Sequence, residues 1–60
     1  MDDRQFLVTL SIATEQRSQR LHITINVTAP DARTAAMDAD TWARRIAGVI
    51  FISIDQVIEL

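Results

Sequence analysis

Residues 28–48 read "TAPDARTAAMDADTWARRIAG", and this stretch decides the fold because the hydrophobic period changes inside it. Ala32, Ala35, Ala36, Ala39, Trp42, Ala43 and Ile46 recur at the i, i+3, i+4, i+7 spacing that lines up one stripe of an α-helix. Pro30 falls near the first turn, where its missing N–H does no harm. Asp31 is either the N-cap itself or a capping-box partner for Thr28, and both put a carboxylate at the positive end of the helix dipole. Arg44 and Arg45 fall in the last turn, where cations are favoured, and Gly48, the only glycine, follows as a left-handed cap. These signals predict a helix over about 31–47. Its alanine stripe lets the axis approach whatever it packs on. Trp42 has two readings, core packing at one end of the stripe or a partly exposed contact.

On both sides of the helix the period is two. In "FLVTLSIA" (6–13), Phe6, Val8, Leu10 and Ile12 share one face, and Leu7, Thr9, Ser11 and Ala13 share the other. In "RLHITINVTA" (20–29), Leu21, Ile23, Ile25 and Val27 oppose His22, Thr24, Asn26 and Thr28. Strands are therefore predicted over about 5–13 and 20–29. Pairing Ile12 with Leu21, Leu10 with Ile23, Val8 with Ile25 and Phe6 with Val27 joins core side to core side throughout. The connection "TEQRSQR" has neither glycine nor asparagine, which argues against a tight primed turn and for a longer, mobile loop. "VIFISIDQVIEL" predicts a third strand over about 49–59. Strict alternation puts Ile50, Ile52, Ile54 and Ile58 towards the helix, interrupted by Gln56. It puts Val49, Phe51, Ser53, Asp55, Val57 and Glu59 on the opposite face.

The chain thus reads as one small α+β domain over 1–60, in the order β-β-α-β. A right-handed crossover makes the second and third strands parallel. The third strand then lies beside the first, in order 2-1-3 with a mainly antiparallel sheet, or beside the second, in order 1-2-3. The first arrangement is favoured, since it sets the isoleucine-rich strand against the apolar first strand. One helix covers one face. The uncovered face carries Leu7, Thr9, Ser11, His22, Thr24, Asn26, Val49, Phe51 and Ser53. An apolar group of Leu7, Val49 and Phe51 with a polar rim is the pattern of a contact surface. The expected partner or dimer surface is accordingly Leu7, Val49, Phe51, His22, Thr24 and Asn26, with Trp42 as a further contact. Exposed strand edges are the other candidate, because "RLHITINVTA" carries no Asp, Glu, Lys or Arg after Arg20, and unguarded edges are templates for pairing with an identical chain or a target.

Composition narrows the function. A chain of 60 residues hides only about 60% of the surface its unfolded form exposes, so it is marginal alone. With no cysteine, disulfides, thiolate metal sites and thiol nucleophiles are excluded, and a single histidine excludes a multi-histidine metal site. Self-association is the reinforcement that remains. Hydrophobic residues at 48% and charged residues at 23% give a globular balance, and "VIFI" is far too short to span a bilayer. "MDDRQ" does not read as a signal segment, so a cytoplasmic location is expected.

Net charge is −2, against the basic face of most phosphate-binding proteins. All six basic residues are arginine, which fits either GC-rich codon usage or the guanidinium's suitability for interfaces. Arg4, Arg17 and Arg20 are the candidate contacts of a nucleic-acid-binding alternative, as a small basic end of the sheet. A structural subunit of a larger assembly is a second alternative.

Catalysis is a poor reading. Ser11 would sit opposite His22, but a hydrolase also needs an orienting acid, an oxyanion hole and a concave pocket. One glycine rules out a glycine-rich phosphate loop, and no cofactor is expected. Asp40 and Arg44, spaced i, i+4, read as a surface ion pair. The best-supported expectation is a non-enzymatic, protein-binding homodimer that regulates or inhibits a larger complex. In size and shape alone it is similar to small phage and mobile-element proteins that bind and block a host factor.

Overall fold

The computed structural model describes residues 3–60, except for the side chains of Arg17 and Ser18. Strands β1 (Arg4–Thr14) and β2 (Arg17–Ala29) are followed by helix α1 (Ala32–Arg44) and strand β3 (Val49–Glu59). The sheet order is β2-β1-β3. β1 is antiparallel to both neighbours, so the two edge strands run parallel. This is the small α+β domain with an open sheet that the periodicities imply.

β1 is the spine of the core. Phe6, Val8, Leu10 and Ile12 are each at most 1% exposed, and they pack with Ala35, Ala39 and Ala43 of the helix. Phe6 to Ile12 spans about 20 Å of strand, the same as the length of a helix of 13 residues, about 20 Å. The helix therefore shields the middle of a molecule whose longest extent is 40 Å. Inward residues of the edge strands, Leu21, Ile23, Ile25 and Val27 on β2 and Ile52, Ile54 and Val57 on β3, are only half-buried.

The β1–β2 register pairs Ile12 with Leu21, Leu10 with Ile23, Val8 with Ile25 and Phe6 with Val27, as the core-to-core rule requires. The connection differs from the expected long loop. Thr14 pairs with Arg17, so only Glu15 and Gln16 form the turn. No non-glycine residue among those described has positive φ, so this is not a primed turn. A register shift between Ile12 and Thr14 accompanies it, and such an irregularity supplies the twist that an ordinary turn lacks.

Asp31 is the N-cap: its Oδ1 accepts from the Thr34 backbone N–H at 2.7 Å. That bond, with help from the Thr34 hydroxyl and the Arg33 charge, holds the Asp31 carboxyl below the ordinary carboxylate range despite an opposing desolvation effect. A lowered folded-state pKa stabilises the fold above the unfolded pKa of about 4 and is lost as pH falls through the folded value. Thermal melts of Asp31→Asn are expected to lack this part of the acid-side slope that the wild type shows.

The helix stops at Arg44, short of the expected residue 47, with Arg45 as C-cap and its N–H on the Trp42 carbonyl at 3.2 Å. Gly48 lies beyond the cap. It has φ of 81° in a turn closed by the Val49 N–H on the Ile46 carbonyl at 3.4 Å, the position where a type II turn requires positive φ. Its carbonyl accepts from Glu15 N–H at 2.9 Å, tying this turn to the hairpin. Nothing lies within 4 Å of a Cβ added there, so the cost of Gly48→Ala is purely conformational. Urea titration is expected to show a loss of about 1 kcal/mol, with Gly48→Asn losing less.

β3 departs from strict alternation twice. Leu10 pairs with Ile54 but Thr9 pairs with Gln56, leaving Asp55 as an extra residue. Beyond it Val57 faces Val8 on the core side, and Ile58 faces Leu7 on the open side. This corrects the expectation that Ile58 meets the helix and Val57 does not. An unbroken alternation would have put Gln56 beneath the helix, and one added residue moves it opposite Thr9 on the wet face. At the other end Thr14 pairs with Val49 and Ala13 with Phe51, leaving Ile50 extra. Val49 packs against the core instead of joining the open face, and Ile50, expected inside, is 65% exposed.

Candidate protein-binding surface

The open face has a polar centre built from three strands. Ser11, paired with both His22 and Ser53, is 4% exposed and is the sole buried polar residue among those described. Its Oγ donates to Asp55 Oδ2 and lies 3.0 Å from His22 Nδ1, while Ser53 Oγ donates to Asp55 Oδ1 at 3.2 Å. With the Ser11 hydroxyl donating to Asp55, a hydrogen bond between Ser11 and His22 requires the imidazole to donate from Nδ1. The order is imidazole to hydroxyl to carboxylate. A nucleophilic serine needs the reverse, with the imidazole as acceptor and the acid behind it. Asp55 lies on the open face, where alternation from Ser53 also places it, and the trio ties β2 and β3 across β1.

The expected apolar group does not assemble. Leu7 is half-buried beside Asn26 and Ile58, and Ile58 is 45% exposed. Phe51 is 39% exposed and sits opposite Ala13, six residues further along β1, about 20 Å away. The Arg20 guanidinium lies over its ring at 4.5 Å. With Val49 turned to the core, the open face carries two separate apolar spots and no continuous patch. Thr24 and Asn26 are exposed between them, with Thr24 Oγ1 3.2 Å from Thr9 Oγ1.

The expected basic end does not assemble either. Arg4 pairs across from Ala29 and lies 3.4 Å from Glu59, at the end of the sheet away from the hairpin turn. Arg20 is near the turn and occupied by Phe51, and the Arg17 side chain lies outside the described residues. Arg44 is bound to Asp40 at 2.8 Å, as their spacing predicts.

The two sheet edges are unlike. β3 is interrupted at Ile50 and Asp55 and bears Asp55 and Glu59. Bulges and charges of this kind obstruct strand addition. Along β2, Leu21–Ala29 pairs with β1 without a shift and contains no acidic or basic residue apart from His22. Trp42 belongs to this side. It lies roughly 60° to one side of the Ala35–Ala39–Ala43 stripe and Arg44 lies to the other. Arg44 shares a groove with Val49–Ile52 of β3, so the Trp42 flank overlooks β2, as a right-handed crossover also requires. At 43% exposure Trp42 is a surface residue, so its ring is not part of the core.

The strand edge is legible in the sequence, as the run without Asp, Glu, Lys or Arg from Leu21 to Pro30. Ile58 departs from its expected face because the bulge reverses parity beyond Asp55, whereas Asp55 keeps the face that alternation gives it. Among the described residues, no helix is long and apolar enough to cross a membrane. The chain matches no protein-family model, no curated protein and no solved structure in the comparisons made with each.

Proposed function

We propose that this chain is a non-enzymatic protein-binding module, a cytoplasmic regulator or inhibitor that acts by occupying a surface of a larger protein complex. The observation that carries this reading is the β2 edge: Leu21–Ala29 is unbulged, almost uncharged, and flanked by half-buried Leu21, Ile23, Ile25 and Val27. Unpaired backbone N–H and C=O groups in such a strand are a template for another strand, and the apolar flank adds burial to the ladder. Size supports the same view. The accessible surface is 4370 Å², whereas a compact monomer of 6.8 kDa has about 3,950 Å². Separation of Arg4 from Arg20 and the negative total disfavour a nucleic-acid surface.

The test is capture from an extract of the source cells by the immobilised chain, compared with the double variant Thr24→Lys, Asn26→Lys. A protein retained at fixed stoichiometry by the wild type, resistant to nuclease, and lost with the variant is expected. Equal retention by both, or retention of nucleic acid alone, contradicts the proposal.

A further inference from the structure

We infer that the strand received by the β2 edge is β2 of a second copy, antiparallel and centred on Ile25, so that two chains share one six-stranded sheet. This rests on the reading of the chain as a protein-association module and specifies its first partner. A two-fold axis perpendicular to the sheet keeps each face on its own side, so some residue must face itself across the axis. Taking Ile25 as that residue uses the whole clean stretch. Thr24 then faces Asn26 of the second copy, Ile23 faces Val27, His22 faces Thr28 and Leu21 faces Ala29. Centring on Thr24 or Asn26 instead pushes one end of the ladder beyond Leu21–Ala29, towards the shifted segment near Arg20 or onto Pro30. Proline has no N–H to contribute to such a ladder.

Three further features agree. On the helix side, Ile23, Ile25 and Val27 of both copies meet, completing burial that one helix leaves half done. At each end of the ladder Arg20 faces Pro30 of the second copy, so no two like charges stand opposite each other anywhere along it. Both helices lie on the same side of the joined sheet, with each Trp42 overhanging the junction. About 30 Å of paired edge, across a molecule 13 Å in its shortest extent, gives a contact of about 400 Å² per copy. That is half the about 800 Å² per partner of a standard interface, which places the contact in the size class of weak, reversible associations.

The register can be read with two double variants at exposed positions of the open face, neither of which touches the core. Thr24→Lys with Asn26→Lys places like charges opposite each other twice. Thr24→Lys with Asn26→Glu places opposite charges there. Sedimentation equilibrium of the full chain, across the micromolar to millimolar range, is expected to show a wild-type dimer, a monomer for the first variant and a dimer for the second. Loss of the dimer in both variants overturns the Ile25 centre, because a ladder centred on Thr24 or Asn26 sets like charges against themselves in each. A dimer retained in both overturns the β2 edge as its site. A wild type that stays monomeric throughout overturns self-pairing alone. Capture of a different protein by this surface is read separately, in the extract experiment.

Discussion

Leu10→Ala is expected to lower the thermal midpoint by at least about 8 °C, and to leave a large unfolded fraction at physiological temperature. Leu10 is 0% exposed, within the fully buried row of β1, between Ile23 and Ile54 on the neighbouring strands. Removing its isobutyl group costs about 2–5 kcal/mol, through lost transfer energy and a cavity the sheet cannot collapse into. A domain of 60 residues has a total stability of only about 3–9 kcal/mol, so the loss is a large share of it. Leu10→Met, which conserves volume, is expected to cost less than about 1.5 kcal/mol. Melts should be compared at equal chain concentration, since dimer formation shifts the midpoint. A Leu10→Ala protein that melts with the wild type would mean that this row is not the core.

The second large effect is expected from Ala39→Leu. Leucine is nearly as good a helix former as alanine, so propensity predicts almost no change. Packing predicts the opposite. Ala35, Ala39 and Ala43 are all 0% exposed and place the helix backbone close against β1. An inserted isobutyl group must lift the helix off the sheet or force strained rotamers, at about 1–3 kcal/mol. Ala32→Leu, at an exposed position on the same helix, is the control and is expected to be near neutral. Equal urea midpoints for the two variants would contradict the close helix–sheet approach.

How far the sequence carries follows from where each signal is local. The helix start, the alanine stripe, the core face of β1 and the β1–β2 register are all written in short-range periodicity. They agree because Phe6, Val8, Leu10 and Ile12 alternate without interruption. The end of the helix and the hairpin turn were harder. The need for a glycine at Gly48 is real, but it serves the turn into β3 and not the helix cap. The short Glu15–Gln16 turn is paired with a register shift that no turn residue announces.

β3 was misread because alternation is a rule for regular strands, and each bulge reverses its parity. Gln56 was the clue. A polar residue falling on the face assigned to the core, beside Asp55, marks where one extra residue restores the pattern. Correcting that parity moves Val57 inward and Ile58 outward, and the separate shift at Ile50 removes Val49 from the open face. Of the two candidate surfaces that the sequence offers, the apolar patch is thereby dispersed and the uncharged strand edge remains.

The most direct test of that edge is residue-resolved amide hydrogen exchange at low and high chain concentration. Every second amide of Leu21–Ala29 points away from β1 and is expected to gain protection as concentration rises, while the outward amides of β3 keep their rates. Protection that appears on β3, or none on β2 at any concentration, would contradict the account.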